Sequence, residues 1–211
     1  MIQIIIPAAG KGQRFKDAGY TEDKPDIPVL GRRMVDRVID NLSPDQSYTV
    51  QVVRDLPQPT GGAVETILKA DISDDPLLIG NCDQLAAFDV NEFLDTDLDG
   101  RLVVFKSNKP HHSYVQTDNG LVINIKEKEV ISYHAVTGIY YFKSGRVFMS
   151  AAEMVIEEGI KTNGEFYVSS VIDKLIEAGY RIGIFEAPTA ILGTPEELQL
   201  FEMAVKVGKT L

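Results

Sequence analysis

The apolar positions of the chain change their period along its length, and those changes mark its elements. Met1–Ile6 (MIQIII) is a short β-branched apolar run closed by Pro7, which predicts a buried strand. Met34–Leu42 places Met34, Val35, Val38, Ile39 and Leu42 at helical spacing. Tyr48–Val53 reads as a second strand, and Gly62–Ala70 as a helix behind the turn residues Pro59-Thr60-Gly61. Leu77–Gly80 is a further short strand that ends at Asn81-Cys82-Asp83. Strand, helix, strand, helix, strand predicts parallel crossover units, with functional loops at the carboxyl ends of the strands.

The second half has another rhythm. Arg101–Lys106 predicts a strand, and Tyr114–Thr117 and Val122–Ile125 flank Asp118-Asn119-Gly120, a strong hairpin signal. Val136–Phe142 reads as a strand, Val147–Glu158 and Val168–Ala178 as helices, and Arg181–Phe185 as a last strand. Pro195–Val207 predicts a terminal helix with proline in its tolerated first turn. No repeat, linker or shift in composition divides the chain. Residues 1–211 are therefore expected to form one α/β domain with a parallel half and a mixed half.

Composition narrows the partners. The chain has 211 residues, and its 44% hydrophobic and 25% charged content excludes a disordered or low-complexity protein. Its 31 acidic against 21 basic residues give a net charge of −10, which argues against nucleic acid or an anionic membrane as a partner. An anionic substrate would therefore have to meet a local cluster of cations. The single cysteine, Cys82, rules out an internal disulfide and suits a reducing compartment. No stretch approaches the roughly 18 apolar residues of a membrane span, and the N-terminus lacks the pattern of a signal peptide. The expectation is a soluble, cytoplasmic protein.

The strongest local signal is Pro7-Ala8-Ala9-Gly10-Lys11-Gly12-Gln13-Arg14-Phe15, directly after the first strand. Small residues let the backbone approach a ligand, and successive N–H groups can cradle phosphate oxygens. A flexible glycine turn is the alternative. Neither the Walker A spacing nor the dinucleotide fingerprint fits: Phe15 stands where a third glycine is needed, and the loop is expected to run on through Tyr20, Lys24 and Pro25 without opening a helix at once. Lys24 shares this long connection with Arg14, and long ordered loops are commonly functional. Asp83, just past a buried strand, is placed either to hold Mg²⁺ against phosphates or simply to cap a turn. His111, His112 and His134 lack metal-ligand spacing, and Cys82 reads as packed and inert.

Taken in order, IIIPAAGKGQRF, KPDIPVLGRRMVDRVIDNL, TGGAVETIL, LLIGNCDQ, SYV, IKEKEVIS, VTGIYYFKSG, NGEFYVSSVI and LGTPEEL resemble the sugar-phosphate nucleotidyltransferases (nucleoside-diphosphate-sugar pyrophosphorylases). The likeness is to the branch of bacterial capsule and surface-polysaccharide loci. It implies a single-domain Rossmann-like fold of glycosyltransferase A type, with a mostly parallel mixed central sheet flanked by helices. It implies transfer of a nucleoside monophosphate from a nucleoside triphosphate to a phosphorylated sugar or similar small phosphate, with Mg²⁺ as cofactor.

Carried over by residue, the resemblance implies that Ala8, Ala9, Gly10, Lys11 and Gly12 wrap the nucleotide, with Gly62 and Ala63 at its base and ribose. Arg14 and Lys24 match the catalytic cations, and Asp83 the Mg²⁺ ligand. Glu127 and Lys128 look like the pair at the acceptor sugar and its phosphate. Gly138 and Glu165 match positions lining the acceptor pocket, and Ser113 and Tyr114 a Ser-Tyr pair expected at the acceptor. Two departures stand out. Ile191 occupies the place of a second metal-binding aspartate, and the interval from Leu42 to Gly61 is short by about one strand–helix unit. These departures keep open a nucleotide-binding protein without catalysis. A glycosyltransferase of similar fold ranks lower, because Asn81-Cys82-Asp83 lacks the first carboxylate of an Asp-x-Asp motif. The nucleobase, the acceptor and the oligomeric state, a homo-oligomer among the options, are not set by sequence.

Overall fold

The computed structural model describes residues 1–208. An eight-stranded mixed sheet forms its centre. The first half runs β1 (Ile2–Pro7), α1 (Gln13–Asp17), a single 3₁₀ turn at Lys24–Asp26, β2 (Pro28–Val29), β3 (Arg32–Arg33), α2 (Met34–Leu42), β4 (Tyr48–Val53), α3 (Ala63–Ile67), β5 (Leu77–Gly80), β6 (Gln84–Ala86) and α4 (Val90–Leu94). The second half runs β7 (Gly100–Lys106), β8 (Ser113–Asp118), β9 (Leu121–Glu127), β10 (His134–Phe142), α5 (Gly145–Glu157), α6 (Val168–Glu177), β11 (Ile182–Glu186), β12 (Thr189–Ile191) and α7 (Pro195–Lys206).

The large sheet is ordered β4-β1-β5-β10-β7-β11-β9-β8. β1 lies parallel to both β4 and β5, so the carboxyl ends of all three open on the same edge. β10 enters between β5 and β7, antiparallel to both, and β11 runs parallel to β7. The register of β10 slips between Val136 and Tyr140, a bulge centred on Gly138. The slip lets β8 reach across to pair with the start of β10, which curls this end of the sheet around a hollow.

Alternation along the strands divides the core between the two faces. Ile4 and Ile6 of β1 pack with Met34, Val38 and Leu42 of α2, with Phe93 of α4 and with Leu198 of α7. Ile5 points the other way and joins Phe148 and Val155 of α5 and Ile172 and Leu175 of α6. Each such fully buried side chain contributes about 1.5–3 kcal/mol, which anchors the strand ends that carry the loops.

Four short features were not visible in the apolar pattern, the helix α4 among them. A helix does open immediately after the glycine loop: α1 starts at Gln13, contrary to the expectation of a continuing loop. Phe15 is the reason, since it is 1% exposed and packs edge-on against Tyr20 at 5.2 Å. The ring that breaks the dinucleotide fingerprint is thus the anchor of a different loop. The pairs β2–β3 and β6–β12 also escape the pattern, because strands of two or three residues have no period to read. α3 is shorter than Gly62–Ala70, as Lys69 N and Ala70 N donate three residues back, to Thr66 O and Ile67 O. The short interval before Gly61 holds the single strand β4 at the sheet edge and no helix. No helix among the described residues is long and apolar enough to cross a membrane.

Candidate active site

β1, β4 and β5 end on one edge of the sheet, and an ion pair joins the connection after β1 to the turn after β5. Lys24 Nζ donates to Asp83 Oδ2; the side chains are 20% and 15% exposed. Burial works against the Lys24 charge, yet Asp83 outweighs it, so the ammonium is held above its ordinary value of 10.5. Arg14 is close enough to oppose that charge, and it is exposed with no ion-pair partner among the described residues. The structure therefore brings Arg14, Lys24 and Asp83 together.

What aims Lys24 is a second ion pair. Arg54, just after β4, donates to both carboxylate oxygens of Asp26 at 3.0 and 2.7 Å. That fork fixes the 3₁₀ turn, with Pro25 buried beneath it. The Arg54 bonds hold the Asp26 carboxyl below its ordinary value of 3.8. The acidic residues of this long connection thus have partners of their own: Asp26 serves Arg54, and Asp23 faces Lys16 at 3.5 Å.

The glycine loop, whose Gly12 lies beside Lys24, faces α3 across a cleft of about 580 Å³ that Gly10, Lys11, Gly12, Gly62, Ala63 and Glu165 help to line. A side pocket of about 230 Å³ lies behind it, bounded by Ala8, Ala9, Leu56 and Gln58. A second cavity, of about 260 Å³, opens under the curled end of the sheet and is reached by Arg14, Ser113, Glu127, Lys128 and Gly138. Ala63, Asn81 and Tyr167 border both spaces.

The inner cavity is organised by hydroxyls. Glu127 Oε2 accepts from Ser113 Oγ, its cross-strand neighbour, and from Ser169 Oγ of α6 at 2.8 Å. Lys128 Nζ donates to Tyr167 Oη, which in turn donates to Glu165, and the ammonium also lies 4.4 Å from the Tyr167 ring centre. Burial pushes the Tyr167 phenol up, with Glu165 adding to it, so it stays protonated at neutral pH. Burial together with His111 and Lys109 pushes His112 down to about 4, which leaves it neutral there. Asn81 N donates to Gly138 O at 3.0 Å, and the Asn81 and Gln84 side chains occupy the space a Cβ on Gly138 would need.

Of the residues singled out by sequence, Tyr114 does not reach this cavity, and its expected acceptor contact is corrected. It is fully buried, and its hydroxyl donates to Lys109 O at 2.7 Å, which pins the loop leading into β8. Glu165 lines the outer cleft and meets the inner one only through Tyr167. Ile191 pairs with Gln84 on the β6–β12 ribbon. Cys82 is 8% exposed, and burial, with Asp83 adding, pushes its thiol up to about 12. Only about one thiolate in ten thousand then exists at pH 8, so a soluble thiol reagent is expected to label Cys82 slowly in the native protein and promptly in denaturant. Equal rates in the two states would overturn that assignment.

Sequence reasoning missed Tyr167, Ser169, Tyr140 and Glu197. The last lies in the first turn of α7, and its carboxylate and that of Asp83 both lie beside Gly193. A Cβ placed on Gly193 would lie 3.2 Å from Asp83 Oδ2 and 3.3 Å from Glu197 Oε2. Among the described residues, no group of three or more His, Cys, Asp or Glu side chains is positioned to hold a metal.

No family model and no curated protein matches the sequence. Solved structures do match in fold. The nucleoside-diphosphate-sugar pyrophosphorylase from Vibrio cholerae is 21% identical with a TM-score of 0.77, over 95% of this chain and 99% of that one. An inositol-1-phosphate CTP transferase from T. maritima is 14% identical with a TM-score of 0.69, over 100% and 98%. A UDP-glucose pyrophosphorylase complexed with UDP-glucose is 14% identical with a TM-score of 0.75, over 98% and 99%. At these identities the likeness establishes the fold: a mixed α/β domain with the Rossmann-like sheet of those nucleotidyltransferases.

Proposed function

We propose that this chain is a nucleotidyltransferase that moves a nucleoside monophosphate from a nucleoside triphosphate to a phosphorylated sugar or similar small phosphate and releases pyrophosphate. The observation that carries the reading is the pairing of Lys24 with Asp83 near Arg14, which has no ion-pair partner among the described residues and reaches the inner of two adjoining cavities of ligand size. The sequence resemblance and the activities named for the structural neighbours agree with it. One domain spanning residues 1–211 carries the reaction in this reading. Surface-polysaccharide synthesis in the cytoplasm is the setting the resemblance suggests.

The reaction joins two anions. An oxygen of the acceptor phosphate attacks the α-phosphorus, a new P–O bond forms, and the bond to the departing pyrophosphate breaks. A phosphate oxygen is already nucleophilic, so repulsion and alignment are the difficulty, and no protein nucleophile is required. The outer cleft holds the triphosphate, with the glycine-loop amides and Lys11 around its phosphates. The side pocket beside Leu56 and Gln58 takes the base. Arg14 and Lys24 counter the charge that grows on the α-phosphate and the leaving group. Lys128 and Glu127 orient the acceptor in the inner cavity. On a chain of charge −10, these cations are what make an anionic substrate tolerable.

The donor set fits Mg²⁺, which favours one or two carboxylates along with phosphates and water. Asp83 would hold it, and Glu197, whose carboxylate also lies beside Gly193, would be the candidate for a second carboxylate in place of the one Ile191 does not offer. When bound, the ion draws charge off the phosphate oxygens. The Ile191 departure favours a non-catalytic nucleotide binder; the presence of the Glu197 carboxylate beside Gly193, as of Asp83, weighs against it.

Thermal unfolding with CTP, GTP, UTP, dTTP or ATP plus Mg²⁺, run beside a pyrophosphate-release assay on a panel of sugar phosphates, tests the proposal. At about 100 times Kd, the preferred triphosphate should add about 2.7 kcal/mol, or roughly 5–10 °C in Tm for a domain of this size. Pyrophosphate should appear only with an acceptor present. Stabilisation without release across the panel selects the non-catalytic reading, and no stabilisation by any triphosphate ends both.

A further inference from the structure

Tyr167 borders both cavities and has a charged side chain on either side of its hydroxyl. Lys128, which lines the inner cavity, donates to Oη, and Oη–H donates on to Glu165, which lines the outer cleft. A phenol has one proton to give, so once Glu165 receives it the oxygen's lone pairs are left for the ammonium. Burial first, and Glu165 after it, oppose ionisation of the phenol, which preserves that direction of donation. The ring adds to the contact, with its centre 4.4 Å from Lys128 Nζ. The backbone is fixed on both sides. Phe166 and Val168, which flank Tyr167, are buried, and Phe166 bonds through its N and O to Gly61 and Val64. Lys128 holds a φ of +58°, uncommon for a residue with a side chain, and its N–H donates to His112 O at 3.0 Å. What the backbone leaves free is the four-carbon stem of Lys128, whose rotamer entropy is among the largest of any side chain.

We propose that Tyr167 is a positioning residue, whose hydroxyl clamps the Lys128 ammonium so that its other two N–H groups are presented to the phosphate of the acceptor. This rests on the transfer reaction above and deepens it by adding a residue that acts through Lys128. Among the described residues, Tyr167 Oη is the one group that hydrogen-bonds Lys128 Nζ. An ammonium carries three donors, so two remain for a ligand in the inner cavity that Lys128 lines. Without the hydroxyl, the lysine stem has to be ordered anew each time a phosphate binds, and that ordering costs about tenfold in affinity. The ring alone cannot replace the hydroxyl, because attraction to a π face sets a distance and leaves the ammonium free to turn.

The probe is inorganic phosphate, and the reporter is the ¹⁵N-ammonium signal of Lys128, assigned by its disappearance in Lys128→Met. In the ligand-free wild type this signal should be resolved, slowed in its exchange with water by the bond to Oη, and phosphate should shift it. Tyr167→Phe keeps the ring and removes only the hydroxyl. The signal should then merge with those of the exposed lysines, and phosphate affinity should fall about tenfold. In turnover, the KM for the acceptor should rise by the same factor and that for the triphosphate far less, a split that general loosening of the fold would not produce. Added to Lys128→Met, Tyr167→Phe should cost nothing further, because it acts through the lysine. Equal phosphate affinity in wild type and Tyr167→Phe, losses that add in the double variant, or a wild-type ammonium in fast exchange would each overturn the proposal. The last of these needs no variant to fold. A Tyr167-dependent phosphate site without pyrophosphate release from any sugar phosphate would sustain the clamp and defeat the transfer reaction instead, so the two failures are distinct.

Discussion

Replacing Lys24 or Arg14 with alanine is expected to lower turnover by about 10²- to 10³-fold, the cost of removing one preorganised electrostatic donor, about 3–4 kcal/mol. The two variants should differ in everything else. Arg14 is exposed and has no ion-pair partner among the described residues, so Arg14→Ala should leave Tm within a degree or two of wild type. Lys24→Ala strands Asp83, only 15% exposed, without its cation, and a drop in stability should accompany the loss of rate. The sign of the pH dependence follows from the same pair. Because Asp83 holds the Lys24 ammonium above its ordinary 10.5, the pair's contribution is fully present below that value and fades as pH rises through the folded-state value. Wild-type turnover should therefore show no alkaline inflection from Lys24 below about pH 10. Steady-state kinetics and thermal unfolding on the two variants check all of this; near-normal turnover in both would sink the assignment of these cations to the phosphates.

Much of the fold was legible because the signals were local. The 3.6-residue spacing of α2, the apolar run of β1 and the Asn119-Gly120 turn each specify their element within a dozen residues, and the structure has them at those places. The position of β10 was not legible. It sits between β5 and β7 although two strands and a hairpin separate it from β5 in sequence, and no periodicity encodes a partner at that distance. The site divides in the same way. The glycine loop and Asp83 follow strands directly, and Arg14 and Lys24 lie further along the same connection as the glycine loop, so their gathering at one sheet edge follows from parallel crossovers. Tyr140 reads as one more core residue of an apolar strand, and Glu197 as an ordinary acidic residue in a first helical turn. Only in the fold does the bulge at Gly138 put Tyr140 on the wall of the inner cavity, and only there do Glu197 and Asp83 come to lie beside the same glycine, Gly193. Tyr114 fails in the opposite sense: a sequence pair suggested contact, and packing buried it behind the wall.

Gly62→Ala should be the most damaging single change in the outer cleft. Gly62 holds a φ of +134°, and a Cβ there would lie 2.6 Å from both the backbone N and the backbone O of Phe166. Backbone cannot rotate away as a side-chain tip can. The intrusion therefore strikes the two hydrogen bonds that join the loop to the next segment, Phe166 N to Gly61 O at 2.8 Å and Val64 N to Phe166 O at 3.2 Å. Strain at such a φ costs about 1–3 kcal/mol and each backbone bond about 1, so a loss of about 3–5 kcal/mol is expected, or roughly 6–20 °C in Tm. The functional consequence follows from what flanks Phe166. Glu165 and Tyr167 sit on either side of it and line the outer cleft and the boundary of the inner one, so triphosphate affinity and acceptor affinity should fall together. Gly159→Ala is the control. It has a positive φ of +68° but nothing within 4 Å of its Cβ, so it carries backbone strain without the clash. Calorimetric unfolding and triphosphate titration of the two variants separate these effects. Should Gly62→Ala bind triphosphate as well as Gly159→Ala does, the 61–62 loop is not a wall of the nucleotide site.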